Sequence, residues 1–185
     1  MFTIRKPCPY PNEPWGWDNG AFVAWSRGEP TDLYALFSRI KRDRAAGTPY
    51  MAVCPDIVAG GAASLSLSLR ARAALPDDWP WYLAVQNGMT TKDVLPHLSL
   101  FAGIFLGGDN GFKAQADRWC RFAHDHGKPF HYARAGTMAK LEHALEVGAD
   151  SLDSAAPMFT NDKFKAFARF VGGTTNLTLP FGEAA

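Results

Sequence analysis

Short apolar runs alternate with longer amphipathic stretches along the 185 residues, and this alternation predicts an α/β chain. Phe2-Thr3-Ile4 opens as a strand, a proline-rich turn runs from Pro7 to Pro14, and Gly16-Trp17-Asp18 is a second extended piece. Leu33, Leu36, Phe37 and Ile40 then recur at helical spacing. Thr31 suits the N-cap, Asp32 the first turn, and Gly47 stops the helix after about Ala46. Tyr50 to Cys54 reads as a buried strand ending at Pro55-Asp56. The next segment, SLSLSLRARAAL, alternates like a strand at Leu65, Leu67 and Leu69, but its length and alanines suit a helix. A crossover between parallel strands is needed there, which decides for helix. Tyr82–Gln86 and Gly103–Leu106 are further strands. A helix carrying Phe112, Gln115, Trp119 and Phe122 leads to Gly127. Pro129–Ala133 and Ser151–Asp153 read as strands, with a Met138–Val147 helix between them ended by Gly148. A helix over 162–170 and a closing strand at Leu177–Leu179 complete the pattern.

Strand–helix alternation without hairpin signals implies a parallel sheet. Seven or eight short strands fit a closed (β/α)8-type, TIM-like barrel better than a doubly wound sheet, and no G-x-G-x-x-G follows the first strand. At 185 residues the chain is well short of the roughly 250 typical of such barrels, so a compact barrel with shortened loops is expected. No linker, repeat or low-complexity block divides it, and residues 1–185 read as one domain.

Composition narrows the function classes only slightly. The formal net charge of +1 gives no bulk signal for nucleic acid, so such a partner needs a local patch. Arg39, Lys41, Arg42 and Arg44 on one helix, and Arg70 with Arg72 on the next, either form that patch or are solvated helix faces. The first residues contain no apolar leader core, and no apolar run approaches the ~20 residues of a membrane span. Cys8, Cys54 and Cys120 lack C-x-x-C spacing, which points to reduced thiols and a cytoplasmic protein. Neither a metal nor a cofactor is expected. His124-Asp125-His126 reads as a solvated helix end, and Gly108–Gly111 lacks the downstream acid of a calcium loop. His131 and Tyr132 share a strand, so one of them faces the barrel interior.

Parallel barrels build their sites where strands end, because the following loops converge there. The predicted strand ends carry Asp18-Asn19-Gly20, Asp56, Gln86-Asn87-Gly88, Gly107-Gly108-Asp109, Arg134 with Gly136, and Asp153-Ser154. Turn chemistry alone accounts for any one of these. It accounts less well for a carboxylate or amide after nearly every strand.

The same residues carry a family resemblance. WDNGAF, MAVCPD, LAVQNG, GIFLGG and HYARAGTMAKLEHALEVGADSLDSAAP occur in order over about residues 16–159. Together they resemble tRNA-guanine transglycosylases, and more closely the shorter relatives that place 7-deazaguanines in DNA. The resemblance implies base exchange through a covalent aspartyl-glycosyl intermediate. In that reading Asp153 is the nucleophile, and Asp18 handles protons as bases depart and arrive. Asp56 reads the purine's N–H edge, Gln86 and the Gly108 N–H donate to its O6, Phe22 stacks on its face, and Gly107 permits close approach. Three of them have a plainer alternative: a cap or turn for Asp153, an Asp-Asn-Gly turn for Asp18, a core position for Phe22.

Three departures qualify the match. No Cys-x-Cys-x-x-Cys…His set follows Asp153, so the zinc module of the tRNA enzymes is not expected. Asp109 stands where the family has an apolar residue. Arg134 replaces the usual glycine and either reaches a phosphate or base substituent or is solvated. The implied partners are DNA in preference to tRNA, and a free 7-deazaguanine base. The resemblance also allows a homodimer. A nucleoside-level N-glycosidase and a non-catalytic guanine-binding subunit are the competing expectations.

Overall fold

The structure is a computed structural model that describes Phe2–Thr3 and residues 14–174. The expected closing strand at Leu177–Leu179, Cys8 and most of the proline-rich turn lie outside the described residues.

Seven strands form one parallel sheet in chain order: β1 (Phe2–Thr3), β2 (Gly16–Trp17), β3 (Met51–Val53), β4 (Trp81–Val85), β5 (Gly103–Leu106), β6 (Phe130–Tyr132) and β7 (Ser151–Leu152). Crossovers are made by α1 (Ala21–Ser26), α2 (Leu33–Asp43), α3 (Gly61–Arg72), α4 (Thr91–Val94), α5 (Asn110–Lys113), α6 (Ala116–Asp125) and α7 (Met138–Glu146), with α8 (Asn161–Thr174) after β7. The expected closed eight-strand barrel is not what forms. Among the described residues β1 and β7 are the two edges of an open sheet, and no strand joins them. The sheet is nevertheless curled. β2 and β7 are five positions apart, about 24 Å in a flat sheet, yet Asp18 and Asp153 at their ends line one cavity.

The strand period of two divides the side chains between two faces. Trp17, Ala52, Trp81, Leu83, Val85, Ile104, Leu106, Phe130 and Tyr132 face outward into the large core under the helices. Met51, Val53, Tyr82 and Ala84 face inward and form a small second core with Phe105. At the outer core's edge Trp15, Trp17, Trp79 and Trp81 pack with ring centroids 5.5–5.9 Å apart. The Trp17 indole N–H donates to buried Asp43 at 3.0 Å, so the carboxylate is paired where the helix meets the sheet.

Most predicted elements stand close to their expected bounds, including the α3 helix over the ambiguous serine–leucine segment. Three differ. Asp32, not Thr31, caps α2, accepting from Ala35 N at 3.0 Å, while the Thr31 hydroxyl turns to the Asp56 carbonyl. The single helix expected up to Gly127 is broken at Ala114–Gln115 into α5 and α6. A short α1 follows Gly20, where no helix is expected. Among the described residues no helix is long and apolar enough to cross a membrane.

Candidate functional site

The inward parity of each strand continues one or two residues past its end and carries polar side chains with it. Following β2, β4, β5 and β7 in this way puts Asp18, Gln86, Gly107 and Asp153 on the concave side. They line one cavity with Asn19, Phe22, Asp56, Phe105 and Arg134, enclosing about 60 Å³. Seven of the eight expected site residues therefore meet there. The eighth, Gly108, sits directly behind, its carbonyl accepting from the Arg134 guanidinium at 2.6 Å.

Asp56 is the floor of the cavity and is 4% exposed. Its Oδ1 accepts from the Asn19 amide at 2.6 Å and its Oδ2 from the Gln86 amide at 2.5 Å. Burial pushes its carboxyl up to about 6, against these two hydrogen bonds, which favour the ionised form. Asn19 is fixed in turn by donating to the Cys54 carbonyl and accepting from Ala21 N. Gln86 Oε1 accepts from Gly108 N at 2.8 Å and from Ala59 N at 3.1 Å. The arrangement differs from the expected one here, because the Gly108 N–H is engaged by Gln86. Gly107 has a steric reason to be glycine, since a Cβ there would collide with the Gln86 amide.

On the opposite wall, Asp153 Oδ1 accepts from His131 Nε2 and from Arg134 N, both at 3.0 Å. Burial pushes the Asp153 carboxyl up, but the His131 bond, the nearby charges and the Arg134 N–H outweigh it and hold it below the usual carboxylate range. Burial lowers His131 itself, against the Asp153 hydrogen bond and charge, which raise it. With Nε2 donating, Nδ1 accepts from the Ser151 hydroxyl at 2.8 Å. His131 thus is the interior member of its strand pair, stacked on Phe105 with centroids 5.0 Å apart, while Tyr132 packs outward. Asp18 behaves oppositely to Asp153. Burial raises its carboxyl, the Gly20 N–H at 2.8 Å opposes this, and the Asp153 charge adds to the rise. Two carboxyls in one cavity are driven apart, one favouring the proton and one the charge.

Arg134 is held in the left-handed region at φ 54°, uncommon for a side chain with a Cβ. Its guanidinium lies 3.9 Å over the Phe22 ring, so Phe22 is a partly exposed cavity wall rather than a core residue. Sequence reasoning gave three contributors no specific role in this site. Asn19 was visible only as part of a turn signal. Arg39 turns inward, donating to the Asp18 and Asn19 carbonyls and lying 4.6 Å over Trp17. Lys113 is 3% exposed and donates to the Ala133 carbonyl beneath the Arg134 turn. No local motif marks either cation, because helix-face charges look alike until tertiary packing selects one.

The basic patch considered from the sequence is largely engaged within the chain. Besides Arg39, Arg42 pairs with Asp43, Arg44 with Asp78, and Arg72 with Asp77. The predicted helix end at His124 pairs with Asp150 at 2.9 Å, and Asp109 caps α5 by accepting from Phe112 N. What fold and site define together is an α/β protein with a curled parallel sheet whose strand ends gather three carboxylates and two amides in one cleft. No family model matches the chain, and no curated protein matches it.

Proposed function

We propose that the chain exchanges guanine-type bases on a polynucleotide, with DNA as the preferred polymer, by double displacement through Asp153. The observation that carries this reading is the divergence of Asp18 and Asp153 within one cavity. Asp153 is kept ionised, and both of its hydrogen bonds converge on Oδ1. Oδ2 is then the oxygen that bonds to the sugar C1′ as the departing base takes the glycosidic electron pair. Asp18, whose carboxyl retains a proton more readily, gives that proton to the leaving base. The incoming base returns a proton to Asp18 as its ring nitrogen displaces Asp153 from C1′.

The Asp56–Asn19–Gln86 cluster supports the choice of base. An ionised Asp56 has acceptor capacity beyond its two amide bonds and suits an N1–H/N2–H edge. Adenine presents no such pair of donors, and would leave the buried carboxylate poorly matched. The buried free thiols of Cys54 and Cys120 fit a reducing compartment, in keeping with a cytoplasmic protein.

A nucleoside-level base exchanger is the second reading. It is favoured by the internal pairing of Arg39, Arg42, Arg44 and Arg72, which reduces the charge left for a phosphate backbone. The test is incorporation of radiolabelled guanine or 7-cyano-7-deazaguanine into duplex DNA, unmodified tRNA and free deoxyguanosine, with Asp153→Ala alongside. Label is expected in DNA and lost at least 1,000-fold in the variant, about 4 kcal/mol of barrier. Label in tRNA alone or deoxyguanosine alone overturns the polymer assignment. Folded protein that labels none of them overturns the reaction.

A further inference from the structure

Guanine contains a guanidine unit, and the cleft already holds one. The Arg134 guanidinium is planar, presents N–H donors along its edge, and lies 3.9 Å over the Phe22 ring at stacking distance. It donates to the Gly108 carbonyl at 2.6 Å, and the carboxylates of Asp153, Asp56 and Asp18 all act on its charge. The side chain is aimed there by its own backbone. Arg134 stands at φ 54°, with its N–H donating to Asp153 Oδ1 and Ala135 N donating to the Asp153 carbonyl at 2.7 Å. Gly136 N donates back to the Arg134 carbonyl at 2.8 Å and Lys113 donates to the Ala133 carbonyl, so the turn is tied on both sides. What remains of the cavity is about 60 Å³, lined by the Phe22 ring, the three carboxylates and Arg134 itself.

We propose that Arg134 is an internal occupant of the base site, covering the stacking face of Phe22, and that a purine-like base enters only by displacing it. The proposal rests on the base-exchange reading and specifies what regulates entry to that site. The guanidinium competes with the base for the same aromatic face and the same three carboxylates. A base therefore binds with an affinity reduced by the fraction of protein in which Arg134 has swung clear.

The test is binding of 7-cyano-7-deazaguanine to the full chain by isothermal titration calorimetry, comparing wild type, Arg134→Gly and Arg134→Lys. Glycine removes the side chain at a φ it adopts readily, so this variant is the one most compatible with the fold. Lysine keeps the charge and loses the plane. Asp56→Ala serves as the control for the base reading. Arg134→Gly is expected to bind about tenfold tighter, with lysine in between. Guanidinium ion at low millimolar concentration is expected to compete with the base in Arg134→Gly and to have no effect on wild type. Binding by wild type that is equal to or tighter than that of Arg134→Gly overturns the proposal and leaves the base reading standing. If neither protein binds the base while both keep wild-type circular dichroism, the base reading fails and the proposal with it.

Discussion

At the scale of single residues, Lys113 shows how a fold tolerates a buried cation beside its site. The amine is taken out of water under β6, 5.1 Å from the Tyr132 ring centroid. Burial, then the charges of Arg134 and Lys140, lower it to about 7, against a smaller opposing pull from Asp153. The unfolded side chain titrates near ~10.4, so between these values the unfolded chain binds the extra proton. Stability must then rise with pH across that window and fall as pH drops toward 7. Urea unfolding at pH 7 and pH 9 is expected to show wild type gaining about 2 kcal/mol relative to Lys113→Met. Parallel pH profiles for the two proteins would mean the ammonium is solvated in the folded chain. The same side chain props the Ala133 carbonyl, so its charge state bears on how firmly the Arg134 turn is held.

At the scale of elements, β5 opens on one glycine, Gly103, and is followed by another, Gly107, whose hydrogens are demanded by different neighbours. A Cβ on Gly103 would meet the Tyr82 ring at 2.5–2.7 Å, and one on Gly107 would strike the Gln86 amide and sit 3.1 Å from the Val85 carbonyl. Either alanine substitution is expected to destabilise by about 1–3 kcal/mol through overpacking. Only Gly107→Ala should also weaken binding of 7-cyano-7-deazaguanine, because it pushes Gln86 away from Asp56 and Gly108. Denaturation midpoints and calorimetric affinities on both variants separate the two effects; equal loss of affinity in both would remove Gln86 from the recognition argument. β5 also illustrates what local pattern reveals. Its bounds, and the glycine pair after it, are legible because apolar run and breaker are both local signals. So is the site set at strand ends, since parity and convergence are geometric consequences of a parallel sheet. The broken helix at Ala114–Gln115 is not legible, because its apolar spacing continues across the break. Nor is the Gln86–Gly108 bond, or the posture of Arg134 over Phe22, each of which depends on contacts more than twenty residues apart in sequence. Thr31 and Asp32 are equally good caps on paper, and it is the Asp56 carbonyl that draws Thr31 away.

At the scale of the whole molecule, the open seam raises the question of whether the chain unfolds as one body. β1 and β7 leave the sheet with two edges among the described residues, and α8 packs on the core through the partly buried Phe167 and Phe170. Against that, one apolar cluster runs without a break from Trp17 on β2 to Leu141 and Ala144 on α7. Trp17, Trp81 and Trp119, all below 2% exposed, sample both ends of this cluster. A single continuous core predicts a single cooperative transition, since no set of strands can lose its helices without exposing the rest. Tryptophan fluorescence and far-ultraviolet circular dichroism are therefore expected to give the same urea midpoint. Because the site is assembled from the ends of β2 to β7 within that unit, a base bound at one hundred times its Kd is expected to stabilise the whole transition by about 2.7 kcal/mol. A base that shifts only part of the signal would mean that the seam side, with Asp153, moves separately from the Asp56 side. Base exchange needs both walls at once, so such a result would make closure of the curled sheet, and not the chemistry at Asp153, the step that the base controls.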